Sequence, residues 1–85
     1  MQRLWKVFHV CMTPQQMRRV SHMRLLAASG DARSLRIEQR ISLRELAQTL
    51  EASPSTVSRW EQGRTVPRAA SALRWADVLQ VKESA

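Results

Sequence analysis

Between residues 13 and 79, apolar residues recur three to five positions apart, the period of helices with one buried face. Thr13-Pro14-Gln15-Gln16 opens the first predicted helix. Thr can cap, Pro suits the first helical position, and Gln16 can complete a capping box. That helix runs over residues 14–29 with Met17, Val20, Leu25 and Ala28 at helical spacing. Met17, Val20, Met23 and Leu26 are expected in the core, and Gly30 is the stop. Asp31 is then expected to cap a second helix reaching about Arg40 and carrying Leu35 and Ile37. Ser42-Leu43-Arg44-Glu45 is another capping box, opening a helix to Leu50 whose buried stripe is Leu46, Ala47 and Leu50. Ser53-Pro54 caps and starts a fourth helix with Val57 and Trp60 inward and Gly63 at its end. A last helix over residues 68–79 is expected to bury Ala69, Ala72, Leu73, Ala76 and Leu79. Trp75 is placed at its edge, where it can face a partner subunit.

Ahead of these helices, residues 4–12 are rich in Val, Phe and Trp. They read as a weak strand or a loose apolar arm, and a translational start at Met12 would remove most of them. The division that follows is an N-terminal arm at 1–12, an N-terminal helix at 13–30, and a domain at 31–85.

The segment from Ser42 to Gly63 holds the most information. Three residues separate Leu50 from Pro54, so the two helices that flank them must cross steeply. Ala47 is small enough to let the backbones approach, and Val57 and Trp60 lock the second helix onto the first. Ser55, Thr56, Ser58 and Arg59 then share an outward surface near the start of that helix. Such a helix, in a basic chain, suits the DNA major groove.

Composition agrees. Fourteen Lys and Arg face seven Asp and Glu, for a net charge of +7, and all the basic residues but Lys6 and Lys82 are Arg. Arg suits bidentate contacts with phosphate and guanine edges. No acidic residue precedes Asp31, so the N-terminal part supplies extra positive potential. Eighty-five residues leave no room for a separate catalytic or ligand domain, and so small a core gains from dimerisation.

Other chemistries find little support. Cys11 is the single cysteine, which excludes an internal disulfide and fits a reducing compartment. His9, Cys11 and His22 lack the spacing of a zinc site, so no metal and no cofactor is expected. No apolar run approaches the roughly 18 residues of a membrane span. Lys6 and His9 interrupt the signal-like start, and the expected location is cytoplasmic, at the nucleoid. An enzyme is not expected, since no paired carboxylates, glycine-rich phosphate loop, Cys-His or Ser-His motif occurs.

The blocks Ser-Leu-Arg-Glu-Leu-Ala at 42–47 and Ser-Pro-Ser-Thr-Val-Ser-Arg-Trp-Glu-Gln-Gly-Arg at 53–64, with Pro67, resemble the lambda-repressor-like or Cro-like helix-turn-helix family of the xenobiotic-response-element type. The resemblance covers about fifty residues. It implies an all-α, compact five-helix domain, here with an extra N-terminal helix and an apolar arm. It also implies roles. Ser55, Thr56, Ser58 and Arg59 match the base-contacting face, with Arg59 directed at guanine O6 and N7. Ser42 and Arg44 match positions that meet the DNA backbone, and Arg64 and Arg68 would hold phosphates. Glu61 matches an acid that pairs with an arginine of the first family helix, here Arg36, in a structural ion pair.

Three departures stand out. Glu51 and Arg40 occupy positions where the family has glycine, and a left-handed backbone at such residues costs about 1 kcal/mol. The further helix that often builds the family's dimer interface is expected to be missing after Leu79, with the helix at 14–29 and the arm as substitutes. The expected function is a small transcriptional regulator, a repressor of phage or mobile-element type, binding double-stranded DNA as a homodimer. The alternative is an antitoxin-type module whose residues 1–30 cover a partner toxin and which also binds DNA.

Overall fold

A computed structural model describes residues 12–81. The expected strand or arm at 4–12 therefore lies outside the described residues except for Met12, as do His9 and Cys11. The described residues form five helices: α1 (Pro14–Ser29), α2 (Asp31–Glu38), α3 (Leu43–Leu50), α4 (Pro54–Glu61) and α5 (Ala69–Leu79). The all-α architecture is the expected one.

Three helix starts follow from local chemistry. Thr13 Oγ1 accepts the Gln16 N–H at 3.1 Å while Gln16 Oε1 accepts the Thr13 N–H at 2.9 Å. Ser42 and Glu45 repeat this reciprocal box at 3.0 and 2.9 Å. Ser53 Oγ accepts the Thr56 N–H at 3.2 Å, with Pro54 as the first helical residue. Each cap contributes about 1 kcal/mol by satisfying amide donors that have no partner within the helix.

Asp31 departs from its expected role. Gly30, at φ 92°, closes α1 and leads directly into α2, so Asp31 is already helical, and its carboxylate accepts the Ser29 hydroxyl instead. The second helix ends at Glu38, short of Arg40, because Arg40 turns left-handed at φ 60°.

The same ending recurs. Arg40, Glu51, Gly63 and Gln80 all have positive φ, and each donates its N–H to the carbonyl three residues back. The residue after each donates to the carbonyl five back: Ile41 to Arg36, Ala52 to Ala47, Arg64 to Arg59 and Val81 to Ala76. This is the Schellman arrangement, which usually rests on glycine. At Arg40, Glu51 and Gln80 the left-handed turn costs roughly 1 kcal/mol or more per residue. Ile41, Ala52 and Val81, the residues each turn delivers, pack against the core and offset that cost.

One hydrophobic core joins the helices. It comprises Val20, Met23 and Ala27 of α1, Ala32 of α2, Leu46, Ala47 and Leu50 of α3, Val57 and Trp60 of α4, and Ala72, Trp75, Ala76 and Leu79 of α5. Several expectations are corrected here. Met17 and Leu25 are 56 % and 65 % exposed, and Ala28 is exposed as well. The buried stripe of α1 runs at 20, 23 and 27, a different rotation about the helix axis. Ile37 is likewise exposed, and α2 instead buries Ala32 and Arg36.

Trp75 is fully buried rather than at an edge. Its ring centroid lies 5.9 Å from that of Trp60, with the planes tilted by 38°. Ala72, one turn earlier, and the adjacent Ala76 are small and buried beside it. Ala69 and Leu73, expected inside, are only partly buried against the core. The Trp75 Nε1–H has no hydrogen-bond partner among the described residues, so packing outweighs a desolvated donor there.

α1 lies antiparallel along α5. Arg19 donates to the Val81 carbonyl at 2.7 Å and pairs with Asp77 at 2.8 Å. Nearer the other end, Arg24 Nε donates to the Pro67 carbonyl at 3.1 Å. Gln39 Nε2 holds the Leu79 carbonyl at 2.9 Å. Among the described residues no helix is long and apolar enough to cross a membrane, and no group of His, Cys, Asp and Glu could hold a metal ion.

Candidate nucleic-acid interface

The α3–α4 unit is built as a rigid corner. Leu46, Ala47 and Leu50 are buried on one side of it and Val57 and Trp60 on the other. Glu51, left-handed at φ 57°, reverses the chain, and Ser53 caps the next helix two residues later. Full burial of Val57 contributes about 1.5–3 kcal/mol to holding α4 in this orientation.

An ion pair adds directionality to that packing. Arg36 Nε donates to Glu61 Oε2 at 2.7 Å and Arg36 Nη2 to Glu61 Oε1 at 3.2 Å. Arg36 Nη1 also donates to the Ile41 carbonyl at 2.9 Å. Arg36 and Glu61 are 9 % and 5 % exposed. The planar guanidinium thus ties the end of α4 to α2 and to the turn that opens α3.

With Val57, Trp60 and Glu61 facing inward, helix geometry decides which residues face out. Ser55 and Arg59, four apart, are both exposed. Thr56 and Ser58 lie on the flanks, each partly buried. The Thr56 hydroxyl meets Ser53 Oγ at 2.9 Å, and Ser58 Oγ accepts from Gln62 Nε2 at 3.0 Å. The expected surface of four residues is therefore uneven: two side chains point out, and two are engaged in local bonds. Gln62 is exposed on the Ser55–Arg59 stripe, three residues past Arg59. Its spacing of i+7 from Ser55 is the sequence signal for that placement.

Ser42, Arg44, Arg64 and Arg68 are all exposed. The Ser42 hydroxyl accepts the Glu45 N–H at 3.0 Å. The Ser42 N–H and hydroxyl hold the Glu45 carboxyl below its ordinary value of 4.5, so negative charge persists at this helix start.

The charge of the segment is one-sided. Between residues 53 and 68 the basic side chains are Arg59, Arg64 and Arg68, all exposed. The single acid there is Glu61, which is buried and neutralised by Arg36. α4 and the loop after it therefore present only positive side-chain charge to solvent.

α1 supports that loop from behind. A Cβ at Gly63, which has φ 75°, would stand 3.3 Å from the Ala28 carbonyl oxygen. Pro67 is fully buried and its carbonyl accepts from Arg24. Residues 64, 65, 66 and 68 between and beside these anchors are exposed. No local signal marks Arg24 for this task, because its partner lies 43 residues away.

Residues 33–85, more than half of the chain, match the model of a helix-turn-helix family. α1 precedes the matched segment entirely. No curated protein and no solved structure matches the chain.

Proposed function

The chain belongs to the lambda-repressor/Cro-like helix-turn-helix family of DNA-binding transcription regulators, and from that premise we propose that α4 reads a specific duplex in the major groove. Arg59 donates to a guanine O6 and N7, and Ser55 meets the neighbouring base edge. Thr56 and Ser58 contribute from the flanks, where their hydroxyl protons can turn toward DNA. Gln62 joins the row at its far end. Ser42, Arg44, Arg64 and Arg68 contact phosphates and set the register of α4 along the groove.

The observation that carries this reading is the exposed Ser55–Arg59 stripe on a helix whose other side is locked by Val57, Trp60 and the Arg36–Glu61 pair. Such a helix can meet base edges without ordering itself first, which spares the entropic cost of assembling the reading surface. Binding as a homodimer to a palindromic site would double the contacts available to so small a domain. Occupancy of an operator would then repress transcription by exclusion.

Selection from a pool of random duplexes, followed by footprinting of the enriched sequence, tests the proposal. A protected site with two symmetric half-sites about one helical turn apart is the expected result. Enrichment of no sequence, with equal affinity for all duplexes, would overturn it.

A further inference from the structure

We propose that Arg24, on the helix that precedes the family match, is a positioning residue for DNA-backbone binding: it holds the loop that presents Arg64 and Arg68. The proposal rests on the reading of that loop as a phosphate contact. Arg24 itself is half-buried against the protein.

The loop after α4 has two anchors, and both stand on α1. At its start, Gly63 adopts a left-handed turn close against the Ala28 backbone. At its end, the Arg24 Nε–H is bonded to the carbonyl of the buried Pro67. Arg24 and Ala28 are four residues apart, so they lie one above the other on the same face of α1. The Arg64 N–H is bonded back to the Arg59 carbonyl, which fixes the near end of the loop to α4. The Thr65 and Val66 N–H groups make no comparable backbone bond among the described residues, so the far end depends on Pro67 being held. Pro67 has no N–H of its own, and its carbonyl is the backbone group by which it can be grasped. Arg68 follows immediately, and its side chain makes no capping bond to α5, which leaves it available for a phosphate.

A polar bond here does what apolar packing alone does not. Burial of the Pro67 ring resists its leaving the core, while the Arg24 hydrogen bond fixes the peptide plane that leads into Arg68. Tilting of that plane would change the direction in which Arg68 departs from the protein.

Affinity is measured across a salt series for the selected duplex and for a random one. The variants are Arg24→Gln, Arg24→Lys and the Arg64→Ala/Arg68→Ala pair, with Arg24→Gln also placed in the pair background. Arg24→Gln should weaken binding to both duplexes about three- to tenfold and flatten the salt slope by up to about 1.8, the value of two phosphate contacts. Arg24→Lys, whose ammonium can reach the same carbonyl, should recover most of the slope. In the pair background, Arg24→Gln should change affinity less than about twofold, since it acts through residues already removed.

An additive loss in that background would overturn the proposal, by showing that Arg24 meets DNA itself. So would a lowered melting temperature with an unchanged slope, which marks a structural role alone. Should Arg24→Gln fail to fold, Arg24→Met keeps the apolar stem, lacks the donor and gives the same readout. Wild-type affinity in the Arg64→Ala/Arg68→Ala pair would sink the loop reading together with this proposal. A weakened pair beside a neutral Arg24→Gln would sink the proposal alone.

Discussion

Replacing Arg36 with Met isolates the ion pair that fixes α4. The substitution keeps an apolar stem of similar reach and removes three hydrogen bonds, two to Glu61 and one to the Ile41 carbonyl. It leaves Glu61 5 % exposed with no counter-ion. Breaking a buried pair from one side costs about 3–5 kcal/mol, mostly from the stranded charge. A domain of this size has a total stability of roughly 4–12 kcal/mol, so the variant should stand near the edge of unfolding. Urea unfolding, followed by fluorescence from the Trp60–Trp75 pair, reads the effect directly. At a slope of about 1 kcal/mol per molar, the midpoint should fall by roughly 3 M or the protein should be unfolded in buffer.

The compensating double variant Arg36→Met/Glu61→Leu gives the opposite sign. With both charges gone nothing is stranded, and stability should return to within about 1–2 kcal/mol of wild type. DNA affinity should recover less than stability, because apolar contact replaces a bidentate bond of fixed geometry. A midpoint for Arg36→Met within about 0.5 M of wild type would refute the reasoning, because the stranded-charge penalty would then be absent. A double variant as unstable as the single one would refute it differently, by showing that the bond to Ile41 carried the effect.

The remaining predictions are simpler. Arg59→Ala should cost about 1–3 kcal/mol at the selected site and relax base preference there, measured by competition between site variants; equal loss on random DNA would make Arg59 a phosphate contact. Arg64→Ala should weaken binding on all sequences and flatten the salt slope by about one unit, while an unchanged slope would remove it from the backbone set. Arg40→Gly should raise stability by up to about 1 kcal/mol in thermal unfolding by relieving a left-handed residue, and a loss would show that its side chain does more than the turn requires. Glu45 has a folded value lowered below its ordinary 4.5, so its contribution is complete above that value and is lost as pH falls through the lowered one. The melting-temperature gap between wild type and Glu45→Gln should therefore close on acidification; a gap that persists in strong acid would count against the capping account.

Much of this protein was legible in sequence because the signals are short-range. A Ser or Thr followed three residues later by Glu or Gln closes its hydrogen bonds within one turn, whatever surrounds it, so the openings of α1 and α3 could be read directly. Pro after Ser53, with Val57 and Trp60 at inward spacing, likewise announced α4. Ser55 and Arg59 followed from that phase and stand exposed. Thr56 and Ser58 did not separate cleanly, because flanking positions on a short helix depend on how closely its neighbours approach.

What sequence alone determined, then, is where α1, α3 and α4 begin, which family's corner they form, and that the exposed charge of that corner is positive. Tertiary structure decided the rest. The apolar residues of α1 allow more than one rotation about its axis, and only contact with the other helices chose Val20, Met23 and Ala27 over Met17 and Leu25. Trp75 went inside because Trp60 and two alanines shaped a place for it. Arg40, Glu51 and Gln80 accept left-handed backbones because the residues after them gain burial, a benefit that exists only once the core is assembled. Arg24 reached Pro67 across 43 residues for the same reason: capping and turn chemistry act within a few residues, whereas burial and long-range bonds depend on what the fold brings alongside.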